Sequence, residues 1–292
     1  MRFLLGVLGL LFSFLPLAAQ RLAAQEPVAR DPAVQESVKI PLTDGFLLSG
    51  VLFKPSGPGP FPAVVALHGC GGLGNGSTPV TARHVDWGRQ LAGQGYMVLF
   101  PDSYSSRGLG PQCLVRDRTV RPSKERVIDA FAAKAWLQQR ADVLSTKVSL
   151  LGWSNGGSSV LWSAASDKKP RDSNPDFQAA VAFYPGCRVV AQSAERRDWQ
   201  SRLPMLILIG DADTWTPAEP CRQLAALSQT NGGNISIVTY PNAVHDFDHP
   251  DRKPTKRTGL AYTGDDSGEA MVGTDPAARE DALRRVPQFL KR

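Results

Sequence analysis

Five residues, Gly152-Trp153-Ser154-Asn155-Gly156, constrain the fold of this chain more than any others. They follow the apolar run Val148-Ser149-Leu150-Leu151 and precede a stretch of helical character over 157–165. A serine between two glycines at such a junction predicts a strand that turns sharply into a helix, because only residues without bulk fit beside so tight a turn. The turn lifts the serine oxygen clear of the sheet. The helix that follows aims its free N-terminal N–H groups at the same spot. With 27 glycines in the chain the pattern alone is weak, so its surroundings carry the reading.

Those surroundings alternate. Apolar runs at 63–67, 96–100, 179–184, 205–209 and 235–240 are separated by helical segments at 83–94, 123–140, 220–228 and 276–290. Strands that are apolar on every residue are buried on both faces. The expected class is therefore α/β, a mostly parallel sheet flanked by helices on both faces. A hairpin, 37–40 with 47–53 around Thr43-Asp44-Gly45, precedes it. No repeat and no linker interrupts the pattern, so 34–292 is expected to form a single domain. The polar, irregular stretch 249–274 reads as either a lid or a surface loop.

The first residues have the form of an export signal. Arg2 is followed by an apolar run over 3–17 and by small residues at Ala18-Ala19 and Ala23-Ala24. That run is shorter than the ~20 residues a spanning helix needs, and Pro16 closes it. The expectation is a signal peptide over 1–24, a flexible lead-in over 25–33 and an exported protein with no stable membrane anchor. In an oxidising compartment the four cysteines become interpretable. Four allow three pairings. Cys70 and Cys113 follow strand ends on one edge of the sheet, and Cys187 and Cys221 follow two others, which favours Cys70–Cys113 with Cys187–Cys221 over four free thiols. None has the C-x-x-C spacing of a metal or redox site. The net charge of +6 is scattered and interleaved with acids, as in Arg116-Asp117-Arg118, so no nucleic-acid partner is expected.

A serine nucleophile needs a base to take its proton and an acid to hold that base. In a parallel sheet both belong at the C-terminal ends of strands. Gly210-Asp211-Ala212-Asp213 follows one predicted strand and Val244-His245-Asp246-Phe247 another, in the order serine, acid, histidine. Of the four histidines, His68 sits on a strand end in a glycine-rich turn, His84 falls on a helix and His249 lies beyond the expected loop, which leaves His245 as the base. Asp211, at the strand tip, suits a brace for the turn, whereas Asp213 has the reach to orient His245. The segment Gly69-Cys70-Gly71-Gly72 lacks the G-x-x-x-x-G-K pattern of a phosphate loop. Beside a serine turn it suits an oxyanion hole, with the N–H groups of Cys70 and Asn155 as donors.

These residues resemble the dienelactone hydrolase family of α/β-hydrolases. The likeness spans roughly 38–290 and is carried by Leu67-His68-Gly69-Cys70-Gly71-Gly72, Phe100-Pro101-Asp102-Ser103-Tyr104, Gly152 to Gly157, Gly210-Asp211-Ala212-Asp213 with Pro217, and His245-Asp246-Phe247. It implies an α/β-hydrolase fold, with Asp213 as the acid and His245 as the base. The founding enzymes carry a cysteine where this chain has Ser154, and a glutamate in the first loop where it has Gly69. They bind a substrate carboxylate with arginines. Arg107 is near the first of these positions, and His249 stands at the second. Arg107 and Trp153 are accordingly candidate substrate contacts. The expected activity is cleavage of a small ester or lactone through an acyl-enzyme on Ser154, without metal or organic cofactor. An amidase or peptidase using the same triad, and a non-catalytic exported binding protein, are the competing readings.

Overall fold

The protein is described by a computed structural model that defines residues 34–74, 78–168, 173–192 and 198–291. The expected signal peptide and lead-in lie outside the described residues. Eight strands form one sheet in the order β1-β2-β4-β3-β5-β6-β7-β8. The first two, β1 (Val34–Pro41) and β2 (Leu47–Lys54), make an antiparallel hairpin, and β2 pairs antiparallel with β4 (Met97–Pro101). From β4 onward every pairing is parallel, through β3 (Phe61–Leu67), β5 (Val143–Trp153), β6 (Ala180–Phe183), β7 (Met205–Gly210) and β8 (Ile235–Tyr240).

Hydrophobic burial explains this order. Strands β4, β6 and β7 are buried at every residue, and β5 over its last six, while the edge strand β1 is mostly exposed. Helices α1 (Ala82–Gly93), α2 (Glu125–Gln138), α3 (Asn155–Ala164), α4 (Cys187–Gln192), α5 (Ala218–Thr230) and α6 (Pro276–Leu290) connect and flank the strands. Helix α3 is buried on all ten residues and, after Asn155, is accordingly built of Gly, Ser, Ala and apolar side chains. Asp275 caps α6 by accepting from Ala278 N at 2.9 Å, with Pro276 at the first helical position.

The chain runs from β3 outward to β4 on one side, then returns to β5 on the other. The point where the strand order reverses therefore lies between the C-terminal ends of β3 and β5. A doubly wound sheet opens a crevice there and binds ligands in it.

Both expected disulfides form, Cys70–Cys113 and Cys187–Cys221. The first ties the loop after β3 to the 105–122 loop, and the second ties α4 to α5. The segment after His249 is neither free nor irregular throughout. It carries an antiparallel hairpin, β9 (Thr255–Arg257) with β10 (Ala270–Val272). It is anchored by Gly273 N to His245 O and Asp275 N to Phe247 O, both at 3.0 Å, and by Ala261 N to Cys113 O at 2.9 Å. Its Leu260, Ala270 and Val272 join Cys70, Cys113 and Trp215 in a small apolar cluster separate from the main core. Sequence pattern missed this hairpin because three-residue strands carry no usable period.

Candidate active site

Ser154 stands at φ 51°, ψ −115°, between the end of β5 and the start of α3. A left-handed φ on a serine costs of order 1–3 kcal/mol and persists only where the surroundings impose it. Here they do. A Cβ at Gly152 would lie 2.5 Å from Gly156 O, and one at Gly156 would overlap Leu67 O and lie 2.6 Å from His68 O. The two glycines let α3 approach β3 closely enough to bring the serine beside Gly69, whose own Cβ position is 3.6 Å from Ser154 Cβ.

Asp213 and His245, the expected acid and base, lie side by side. His245 Nδ1 lies 2.7 Å from Asp213 Oδ2, and both side chains are buried. Asp213 is oriented in turn, because its Oδ1 accepts from the N–H groups of Trp215 and Thr216, each at 2.9 Å. The two loops are stitched together by Asp211 N to Tyr240 O at 2.9 Å and Ala212 N to Ala243 O at 3.1 Å. Asp211 itself turns away and pairs with Arg222 on the exposed side of α5. The His245 ring packs between Tyr184 and Trp215, with centroids 4.5 and 4.7 Å away.

Thr216 was not evident from sequence. Its hydroxyl lies 2.9 Å from Asp213 Oδ2, 3.0 Å from Tyr184 O and 3.1 Å from His245 Nδ1, so it braces the acid–base pair from the β7 loop. Ser154, Trp215 and Thr216 line one cavity of about 400 Å³. Its other walls include Cys70, Asn155, Trp162 and Cys187, and Ala261, Tyr262 and Gly264 from the segment after His249, which therefore bounds the site.

Among the described residues, the N–H groups of Cys70 and Asn155 make no backbone hydrogen bond in the turns and loops. His68 holds the first of these loops. Its Nε2 accepts from Ser103 N at 3.1 Å, so Nδ1 carries the proton and donates to Gly69 O at 2.8 Å. Complete burial, reinforced by the Arg126 cation, keeps its pKa well below the ordinary histidine value. That is the structural role expected of it. The Asn155 side chain accepts from Tyr104 Oη at 2.9 Å and from Arg126 Nη1 at 2.7 Å.

Two expected substrate contacts lie elsewhere. Arg107 makes a two-pronged pair with Asp129 at 2.7 and 2.9 Å, donates to Ser103 O, and is absent from the walls of the Ser154 cavity. Its position facing α2 gives it a buried carboxylate partner. Trp153 is fully buried, donates to Asp248 Oδ2 at 2.7 Å and stacks on Phe183. Successive strand residues point to opposite faces, and Trp153 points into the core on the side away from the cavity. Asp248 also accepts from Trp87 and Tyr184, at 2.7 and 2.5 Å, so one buried carboxylate fastens α1, β5 and the residue after β6. Burial drives the Tyr184 phenol well above its ordinary pKa, against the opposing pull of Arg83.

The arginines on the cavity rim are Arg116, Arg118, Arg121 and Arg188. Arg121 is held by Glu125 and Arg188 by Asp266. Arg118 donates through Nε to Gln112 O and Val115 O and stacks on Tyr262, with no carboxylate partner among the described residues.

Sheet order and serine turn together are those of the α/β-hydrolase class. A sequence profile of the dienelactone hydrolase family matches residues 48–292, and the chain belongs to that family, which makes it a hydrolase. It is 26% identical over 218 residues to a Yersinia pestis protein named for carboxymethylenebutenolidase activity, covering 70% of this chain and 75% of the relative. Among solved structures it is similar to a Klebsiella pneumoniae protein described as a dienelactone hydrolase, with a TM-score of 0.64 and 20% identity over 89% of this chain and 98% of the other. It is also similar to a propionate-bound esterase from Thermogutta terrifontis, with a TM-score of 0.60 and 20% identity over 89% and 94% of the two chains. At that identity the structural likeness speaks for the fold alone.

Proposed function

We propose that this protein is an exported serine hydrolase that cleaves small carboxylic esters or lactones through an acyl-enzyme. Ser154 is the nucleophile and His245 the base, acting through Nε2 because Nδ1 is engaged by Asp213. As Ser154 Oγ attacks the carbonyl carbon, its proton passes to His245. The tetrahedral oxyanion is met by the N–H groups of Cys70 and Asn155, and the alcohol leaves with the proton from His245. Water, deprotonated by His245, then attacks the acyl carbon, releases the acid and returns the proton to Ser154. Asp213 keeps the imidazole in the needed tautomer and balances its charge in both steps.

The observation that carries this reading is the strained Ser154 turn opening into the cavity that Thr216 and Trp215 share, with the buried Asp213–His245 pair directly behind them. Family membership and the names of its relatives support ester or lactone cleavage. The arginine rim favours esters that carry a carboxylate, and Arg118 takes the part first expected of Arg107. The domain extends over 34–292, behind a signal removed on export, and the two disulfides fit an oxidising compartment.

Hydrolysis of short p-nitrophenyl esters by the mature protein, beside Ser154→Ala, tests the assignment. The expected result is turnover that falls by about four orders of magnitude or more in a variant that still folds. Substantial turnover remaining in Ser154→Ala overturns it.

A further inference from the structure

The two halves of the oxyanion hole come from different elements, Cys70 from the loop after β3 and Asn155 from the start of α3. The pairing of β3 with β5 and the close packing of Gly156 on Leu67 O bring these two turns together, and a side chain from a third element ties them further. Arg126, the second residue of α2, is fully buried and bonds to Asn155 and to His68, two residues before Cys70. Its Nη1 donates to Asn155 Oδ1 and its Nη2 to His68 O, each at 2.7 Å. The guanidinium lies over the Tyr104 ring, 5.3 Å from its centroid, and Tyr104 Oη donates to the same Asn155 oxygen at 2.9 Å.

This cation is unusual in having no carboxylate partner among the described residues. Asp129, one turn further along α2, is engaged by Arg107, and Asp102 accepts from Tyr104 N and Ser105 N. Among the described residues Arg126 Nε has no hydrogen-bond partner. Burying a charge that only carbonyl oxygens and a ring face offset is unfavourable, and an apolar side chain of similar length would fill the space at lower cost. Rule-breaking features of this kind persist where function uses them.

We propose that Arg126 is a positioning residue for ester cleavage. Its planar fork sets the distance between the two oxyanion donors, and its uncompensated positive charge stands behind the point where negative charge develops. The inference rests on the serine-hydrolase reading above. Such an interaction acts in the transition state and not on the bound ester, so it affects kcat and leaves KM alone.

The test compares wild type, Arg126→Met and Arg126→Lys on a p-nitrophenyl ester. Active sites are titrated with a fluorophosphonate, and affinity is measured for a trifluoromethyl ketone that forms a tetrahedral adduct. In Arg126→Met, kcat per titrated site falls about 10- to 100-fold, below the loss for removing an oxyanion donor outright. KM stays within about threefold, and the ketone inhibition constant rises by the same factor as kcat/KM falls. Melting temperature is unchanged or raised. Arg126→Lys keeps the charge but cannot span both oxygens, so its loss is smaller and follows the same line. A folded Arg126→Met with wild-type kcat and ketone affinity per titrated site overturns the proposal. If that variant does not fold, Arg126→Lys decides, and wild-type constants there overturn it. Wild-type protein that hydrolyses no ester fails the underlying reading instead, and the inference with it.

Discussion

At the scale of single residues, the site depends on atoms that space will not let change. Gly156→Ala would drive a methyl group into Leu67 O, separating α3 from β3 and relaxing the serine turn. Overpacking of this kind costs about 1–3 kcal/mol, and the expected outcome is a lowered urea midpoint with activity lost well before unfolding. A stable, fully active Gly156→Ala variant contradicts the geometry. Thr216→Val removes the hydroxyl bridging Asp213, His245 and Tyr184 while keeping the volume close. A net hydrogen bond of about 1 kcal/mol corresponds to roughly a fivefold loss of kcat, read in steady-state kinetics on the folded variant. Ser154, Asp213 and His245 were legible because strand ends collect catalytic groups and few histidines compete. Thr216 and Tyr184 were not, since their roles are contacts between separate loops. Arg126 and Asp129 did leave a trace. They share a buried face of α2 with Val127, Ala130, Ala133 and Leu137, and charges on such a stripe demand partners.

At the scale of elements, the two disulfides divide the labour. Cys70–Cys113 closes a loop of 43 residues over the oxyanion turn, and Cys187–Cys221 one of 34 on the helical side of the cavity. Loop-closure entropy gives each about 4 kcal/mol as an upper figure, with 2–4 typical. Replacing either pair by serines should lower the denaturant midpoint similarly. The Cys70→Ser/Cys113→Ser protein should lose the larger share of kcat, because one of its ends carries a proposed oxyanion donor. Equal activity losses in the two double variants, at equal stability, contradict this. The long parallel strands and α6 were readable from apolar runs and capping residues. The β9–β10 hairpin was not, because its order comes from bonding to the His245 loop and not from its own sequence. The same holds for α4, whose six residues are pinned by Cys187.

At the scale of the whole molecule, charge buried to build the site makes stability depend on pH. Burial, with the nearby cations Arg126 and Arg83, holds His68 and His84 well below the ordinary histidine pKa. The unfolded chain takes up those protons near pH 6.5 and the native state does not, so stability falls as pH drops below about 6.5. Asp246 works in a lower window. Burial raises its pKa, but Arg83 and then His245 and Arg252 outweigh it and hold the carboxyl below its ordinary value, so its contribution is present above about pH 4 and lost below. Melting temperature should therefore decline from pH 7 to 5, and His84→Gln should flatten that decline; an unchanged slope contradicts it.

The central claim is that Ser154 carries the acyl group. Intact-mass and peptide analysis of the protein after reaction with a fluorophosphonate tests this most directly. A single adduct on the peptide containing Ser154, formed at a rate that tracks loss of esterase activity and absent from Ser154→Ala, is the predicted result. An adduct at another residue, or ester turnover that continues after Ser154 is fully labelled, contradicts the account.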